Sequence, residues 1–191
     1  MLAHPKHYFT LDEYLAVEKV GNARYEYWDS DIVCMGGGSP EHGRIGGNIY
    51  FRLRIQLTGK TCEAFTNEFA INTPLLPPYR YPDASVACGR AIFERISGIG
   101  VLTNPVVIFE VLSPNTEAAD RGQKLLAYRA IETLQEYVLV SQTRPHITHY
   151  IKQENGEWSS SDIVEWTATL TLNSIGCSLA FSDIYEGIEF N

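Results

Sequence analysis

Apolar positions along the chain follow two rhythms, one near 3.6 residues and one of two, and the switches between them outline the elements. Thr10-Leu11-Asp12-Glu13 has the spacing of a capping box. The amphipathic stretch behind it predicts a helix to about Val20, with Gly21 as its stop. Arg24 to Trp28 and Ile32 to Met35 predict two strands around an Asp29-Ser30-Asp31 turn. Gly36-Gly37-Gly38 then breaks the chain. Ser39 and Pro40 suit an N-cap and a first helical position, and Ile45, Ile49, Leu53 and Leu57 recur at helical spacing, which predicts a helix from about Pro40 to Thr58. Thr61 to Phe65, Glu68 to Asn72, Ala84 to Cys88 and Val106 to Leu112 read as strands, and Pro74-Leu75-Leu76-Pro77-Pro78 as a loop. Ala118 to Ile131 reads as a helix. Glu136 to Val140 and Ile147 to Lys152 read as strands, and Asn155-Gly156 as a hairpin turn before Glu157 to Val164. No repeat or linker divides residues 1–191, so one domain of α/β (α+β) class is expected, with a mixed central sheet flanked by helices rather than a doubly wound nucleotide fold.

The 45% hydrophobic content of the 191 residues is enough to bury a core without disulfide or metal staples. The apolar run Pro105 to Leu112 is interrupted by Glu110 and falls far short of the roughly 20 residues of a membrane helix. No apolar signal segment follows Met1 to His7. Cys34, Cys62, Cys88 and Cys177 form no CxxC pair, so reduced thiols and a cytoplasmic location are the expectation. The net charge of -8 argues against coating nucleic acid through bulk charge. That charge is uneven, because no Lys or Arg follows Lys152 while seven acidic residues do. A basic groove from Arg44, Arg52, Arg54, Arg121, Lys124 and Arg129 therefore stays open as a possibility beside the reading of these residues as solvated surface charges.

The segment Val106 to Leu112 carries the most chemistry. Its nearly continuous apolar character predicts a central strand covered on both faces, and the period of two puts Val106, Ile108, Glu110 and Leu112 on one face. A buried, unpaired carboxylate costs several kcal/mol, so Glu110 needs a metal ion, a cation or a cleft. Asp83 poses the same question at the mouth of the strand that follows Tyr81-Pro82. Two carboxylates from two strands are the minimum for a hard divalent cation, whose shell is completed by water and phosphate oxygens. Asp120, Lys124 and Tyr128 fall at i, i+4 and i+8 of the next helix, on one face. A surface Asp120–Lys124 pair is the plain alternative.

Pro82-Asp83, Glu110-Val111-Leu112-Ser113-Pro114, Asp120 and Lys124 together resemble the PD-(D/E)XK nuclease superfamily and, within it, the Uma-two family of restriction-endonuclease-like proteins. Tyr25-Glu26-Tyr27-Trp28-Asp29 resembles the first hairpin of that family, and His42 stands where the family has a histidine near the start of the long helix. The resemblance implies a restriction-endonuclease-like fold and Mg²⁺- or Mn²⁺-dependent hydrolysis of DNA phosphodiesters. It implies that Asp83 and Glu110 bind the metal, with the Val111 carbonyl as a further ligand. Lys124 would orient water or stabilise the phosphorane, Glu26 would tune the site, and His42 would contact phosphate or metal. Leu112 holds the superfamily's usual lysine position, so the lysine is implied to have migrated to Lys124 on the helix. Hydrophobic C-terminal strands suggest a homodimer. The competing expectation is a non-catalytic member of the fold that binds a partner, which the net charge of -8 favours and the intact acid–lysine set disfavours.

Other constellations carry less. His146 and His149 lie on a predicted strand, where i and i+3 point to opposite faces. The Gly36 to Gly38 run lacks the lysine of a phosphate loop, and Ser113 lies in no nucleophile elbow. A glycosidase built on Asp83 and Glu110 is disfavoured by Lys124 and by the absence of an aromatic subsite pattern.

Overall fold

A computed structural model describes residues 8–20, 23–28, 30–36, 38–75 and 78–190. Gly21, Asp29 and Gly37, expected to stop a helix, make a turn and break the chain, lie outside the described residues, as do Leu76 and Pro77 of the proline-rich loop.

The first helix, α1 (Leu11–Val20), starts as its capping box requires. Glu13 N–H donates to Thr10 Oγ1 at 3.2 Å, and Thr10 N–H donates to the Glu13 carboxylate at 2.7 Å. β1 (Tyr25–Trp28) and β2 (Asp31–Cys34) pair as an antiparallel hairpin, with Ser30 at φ 67° in the left-handed region. α2 (Pro40–Leu57) is capped by Ser39, whose side chain accepts the His42 N–H. Six short strands follow: β3 (Cys62–Thr66), β4 (Ala70–Asn72), β5 (Tyr79–Arg80), β6 (Ala84–Cys88), β7 (Phe93–Ile96) and β8 (Ile99–Leu102). Then comes β9 (Val107–Leu112). The helical segment after it has three parts, α3 (Glu117–Ala119), a π-helical turn (Asp120–Lys124) and α4 (Leu125–Arg129). β10 (Glu136–Ser141), β11 (Ile147–Lys152), β12 (Trp158–Ile163), β13 (Thr169–Leu172), β14 (Cys177–Ala180) and α5 (Phe181–Ile184) complete the chain.

The central sheet has six strands in the order β12-β11-β10-β9-β6-β3. Its pairs are antiparallel except β9–β10, which is parallel because the helical segment carries the chain back across the sheet. A second sheet, β5-β4-β8-β7, includes three strands that the periodicity did not indicate. β7 and β8 turn through Ser97 and Gly98, both at positive φ. The result is the mixed-sheet α+β fold expected from the sequence.

One face of the central sheet packs against α2. Ile45, Ile49, Leu53 and Leu57 meet Val86, Val107, Phe109 and Val111, together with the apolar residues of β13, β14 and α5. The opposite face carries Ile108, Leu112 and Leu139 and packs against Tyr128, Ile131 and Leu134. Glu110 belongs to this second face by the period of two, as the sequence predicted, but Val106, expected beside it, precedes β9 and packs with the first face. One expectation is corrected, and another loses the ground given for it. Cys62 and Cys88, register partners across β3 and β6, form a disulfide with Cα atoms 3.9 Å apart, so the reading of all four cysteines as reduced thiols is corrected at these two. In the C-terminal strands, Leu170, Leu172, Cys177 and Leu179 are buried within the chain's own core, so the apolar residues that suggested a homodimer are already covered.

Candidate active site

Asp83 stands one residue before β6. The β6–β9 register pairs Ala84 with Phe109, so its continuation sets Asp83 opposite Glu110. Asp83 N–H still donates to Phe109 O at 3.1 Å. Beyond that point the side chain replaces the strand. One carboxylate oxygen accepts the Val111 N–H at 2.6 Å, and the other pairs with His42 Nε2 at 2.8 Å. α2 presents His42 from its first turn, and Gly38 makes room for the ring. A Cβ at Gly38 would lie 2.9 Å from a ring carbon of His42. Burial alone would lower the His42 pKa, but the hydrogen bond and charge of Asp83 outweigh it and hold the imidazole above its ordinary value.

Glu110 projects from the middle of β9 into a closed cluster. Its Oε1 accepts from Lys124 Nζ at 3.0 Å and from the Tyr128 hydroxyl at 2.8 Å. Lys124 Nζ also lies 3.0 Å from Asp120 Oδ1 and 3.7 Å from Glu26 Oε1. The Asp120 contact is an ion pair without hydrogen-bond alignment, since Oδ1 is buried and has no hydrogen-bond partner. The lysine reaches this position because Asp120–Lys124 is the π-helical turn, a local widening often found at functional sites. Tyr137 fixes that turn, with its hydroxyl donating to Asp120 O at 3.0 Å. Glu26 enters from β1. Its Oε1 accepts the Tyr81 N–H at 3.0 Å, and its Oε2 accepts Trp28 Nε1–H at 2.9 Å.

The electrostatics are crowded. Burial is the main reason the Glu110 carboxyl sits well above its ordinary pKa; Lys124 opposes the shift, and Asp120, Asp83 and Glu26 add to it. Asp120 is likewise raised by burial against the pull of Lys124. For Lys124, burial would lower the pKa, but Glu110, Glu26 and Asp120 outweigh it and hold the amine well above its usual value. A second cation adjoins the cluster. Arg80 is 1% exposed, stacks 3.7 Å from the centroid of the Trp28 ring and donates to Tyr27 O at 2.8 Å.

The residues named from the sequence therefore gather at one place. Glu26, Glu110 and Lys124 share a single ion-pair network, and Asp83 with His42 forms a dyad joined to β9 through Val111. Their exposure differs. The side chains of Glu26, Lys124 and Glu110 are 2%, 4% and 5% exposed, whereas Asp83 and His42 are 14% and 22% exposed, so the cluster opens to solvent on the α2 side. Sequence reasoning missed Arg80, although an arginine between Tyr79 and Tyr81 just before Pro82-Asp83 was a visible signal. It placed Tyr128 on the right helix face but gave it no role. Of the residues from which a basic groove was open, Lys124 is buried, and Arg52, Arg54 and Arg121 pair with Asp183 and Glu186, Glu63, and Glu117, in keeping with the reading of the arginines as surface charges. His149 pairs with Glu136 at 2.5 Å and His146 faces Asp162 at 3.3 Å, so the two histidines do not act together.

The donor types at the cluster are those of a hard cation, but few of them are free to bind one. Glu26, Glu110 and Asp120 surround Lys124, Asp83 lies near enough to Glu110 to add to its raised pKa, and carboxylate oxygens are the donors a hard cation takes. Among the described residues no three His, Cys, Asp or Glu side chains form a ready-made cage, so water and substrate oxygens would have to complete the shell.

Three comparisons bear on this geometry. Residues 11–182 match the model of the family described as "Uma2: Putative restriction endonuclease". The chain is similar to the uncharacterized protein slr1290 of Synechocystis, 38% identical over 181 residues that cover 94% of this chain and 92% of that one. It is also similar to sll1609 of the same organism, at 30% identity over 81% of this chain and 87% of the relative. Its fold superimposes on a crystal structure titled as a putative nuclease belonging to DUF820 from Anabaena variabilis, with a TM-score of 0.73, 19% identity, and coverage of 95% of this chain and 99% of the other.

Proposed function

Because the chain belongs to the Uma2 family, we propose that it is a Mg²⁺- or Mn²⁺-dependent nuclease that hydrolyses phosphodiester bonds in DNA. The observation that supports the reading is the register position of Asp83 opposite Glu110 at the end of the β6–β9 pair, with Lys124 bound to Glu110. Asp83 and Glu110 would hold the ion, and a divalent ion bound there would supply a more acidic water and neutralise charge on the phosphate. His42 orients Asp83 through their 2.8 Å contact and stands on the open side, where a phosphate arrives. Lys124 balances Glu110, Asp120 and Glu26, and Glu26 ties it to β1. Water attacks phosphorus in line, the opposite P–O bond breaks, and a phosphomonoester and an alcohol leave.

A specific observation favours a second reading, a partner-binding member without catalysis. The acids around Lys124 are almost sealed from solvent, and Arg52, Arg54 and Arg121 are neutralised by acidic neighbours. One experiment separates the two: cleavage of supercoiled, linear and single-stranded DNA with Mg²⁺ or Mn²⁺, by the wild type and by Asp83→Ala and Glu110→Ala. The nuclease reading expects metal-dependent cleavage that both substitutions abolish. Cleavage surviving in either variant, or none in the wild type, refutes it.

A further inference from the structure

The geometry points to Tyr128 as a positioning residue for the metal: its hydroxyl and Lys124 pin one oxygen of Glu110, leaving the other to take the cation. The inference rests on the metal-dependent reading above and deepens it. Lys124 alone is a poor guide for Glu110, because its amine is shared among three carboxylates at 3.0, 3.0 and 3.7 Å. The Tyr128 hydroxyl makes one hydrogen bond, to Glu110 Oε1 at 2.8 Å, and the residue is 0% exposed.

The ring itself is held. It packs against Tyr137 with centroids 5.3 Å apart, and Tyr137 stacks on Tyr150 at 6.0 Å. α4 and β10 thus fix the phenol, and the phenol fixes the carboxylate. The two tyrosines divide the work. The Tyr137 hydroxyl secures the backbone of the π-helical turn through Asp120 O, whereas the Tyr128 hydroxyl touches the Glu110 carboxylate itself. Groups that hold a metal-binding side chain in place commonly change metal affinity about 10–100-fold when removed.

The test is calorimetric titration of the full chain with Mn²⁺, comparing wild type, Tyr128→Phe and Tyr137→Phe. Phenylalanine keeps the packing and removes only the hydroxyl, and thermal melts check that each variant folds. Tyr128→Phe is expected to weaken Mn²⁺ binding by about 10–100-fold at unchanged stoichiometry, and Tyr137→Phe to leave it within about twofold. Unchanged affinity in Tyr128→Phe overturns the inference while the metal reading stands. Equal losses in both variants also overturn it, since general packing would then be the cause. No binding by the wild type removes the metal reading and the inference with it.

Discussion

Replacing Lys124 with Met tests the buried charge network directly. Methionine fills nearly the same volume, so the substitution removes charge with little loss of packing. What remains is Glu110, Asp120 and Glu26 around an apolar group, with the lysine contacts at 3.0, 3.0 and 3.7 Å gone. Breaking a buried pair by removing one partner costs about 3–5 kcal/mol. For a chain of this size that is a fall in Tm of roughly 6–20 °C. The pH dependence gives the sharper signature. In Lys124→Met the folded-state pKa values of Glu110 and Asp120 rise further, because burial and mutual repulsion are unopposed. An acid raised in the folded state loses stability as pH rises through that raised value and regains it below its unfolded value. The penalty is therefore largest at neutral pH and shrinks toward pH ~4. In the wild type, the stability Lys124 contributes is present throughout this range, since its own folded pKa is raised and is lost only in strong alkali. Urea unfolding of both proteins at several pH values is the assay. A difference below about 1 kcal/mol at neutral pH, or one that does not shrink in acid, refutes the account of Lys124 as the counter-charge of the cluster.

Two further predictions concern regions away from the cluster. The Cys62–Cys88 link closes a loop of sequence separation 26, which in the chain-entropy account stabilises by about 3–4 kcal/mol. Unfolded, unreduced protein should show two reactive thiols, Cys34 and Cys177, and reductant should lower Tm by roughly 6–16 °C; four thiols without reductant would exclude the link. Burial would raise Glu136, but His149 and Ser174 outweigh it and depress its folded pKa. Glu136 thus adds stability above its unfolded pKa that is lost as pH falls through the lower folded value. Glu136→Gln should flatten the acid limb of a stability–pH curve, and an unaltered limb counts against the assignment.

Much of this architecture was legible. The helical spacing of Ile45, Ile49, Leu53 and Leu57 and the capping box at Thr10 located α2 and α1 to within a residue or two, because both signals are local. Glu110 was conspicuous as a carboxylate on an apolar strand, and the i, i+4, i+8 ridge put Asp120, Lys124 and Tyr128 on the face that reaches it. The family resemblance read from these segments agrees with the match over residues 11–182. The rest depends on long-range register. Nothing in the spacing of Cys62 and Cys88 says that they face each other, since that follows from how β3 lies on β6. The π-helical turn has no cue beyond Gly122 within it, and β7 and β8 are too short for their periodicity to register, although Ser97-Gly98 is a turn signal.

The central sheet has two open borders, and the chain treats them differently. β12 exposes Ser159, Ser160, Ser161 and Asp162, a polar hem that offers a stray strand little to bury. β3, at the other border, is sewn to β6 by the Cys62–Cys88 link. Reduction would loosen that seam and bare a rim of unpaired amides and carbonyls, so aggregation under reducing conditions should begin there rather than at the serine-rich side.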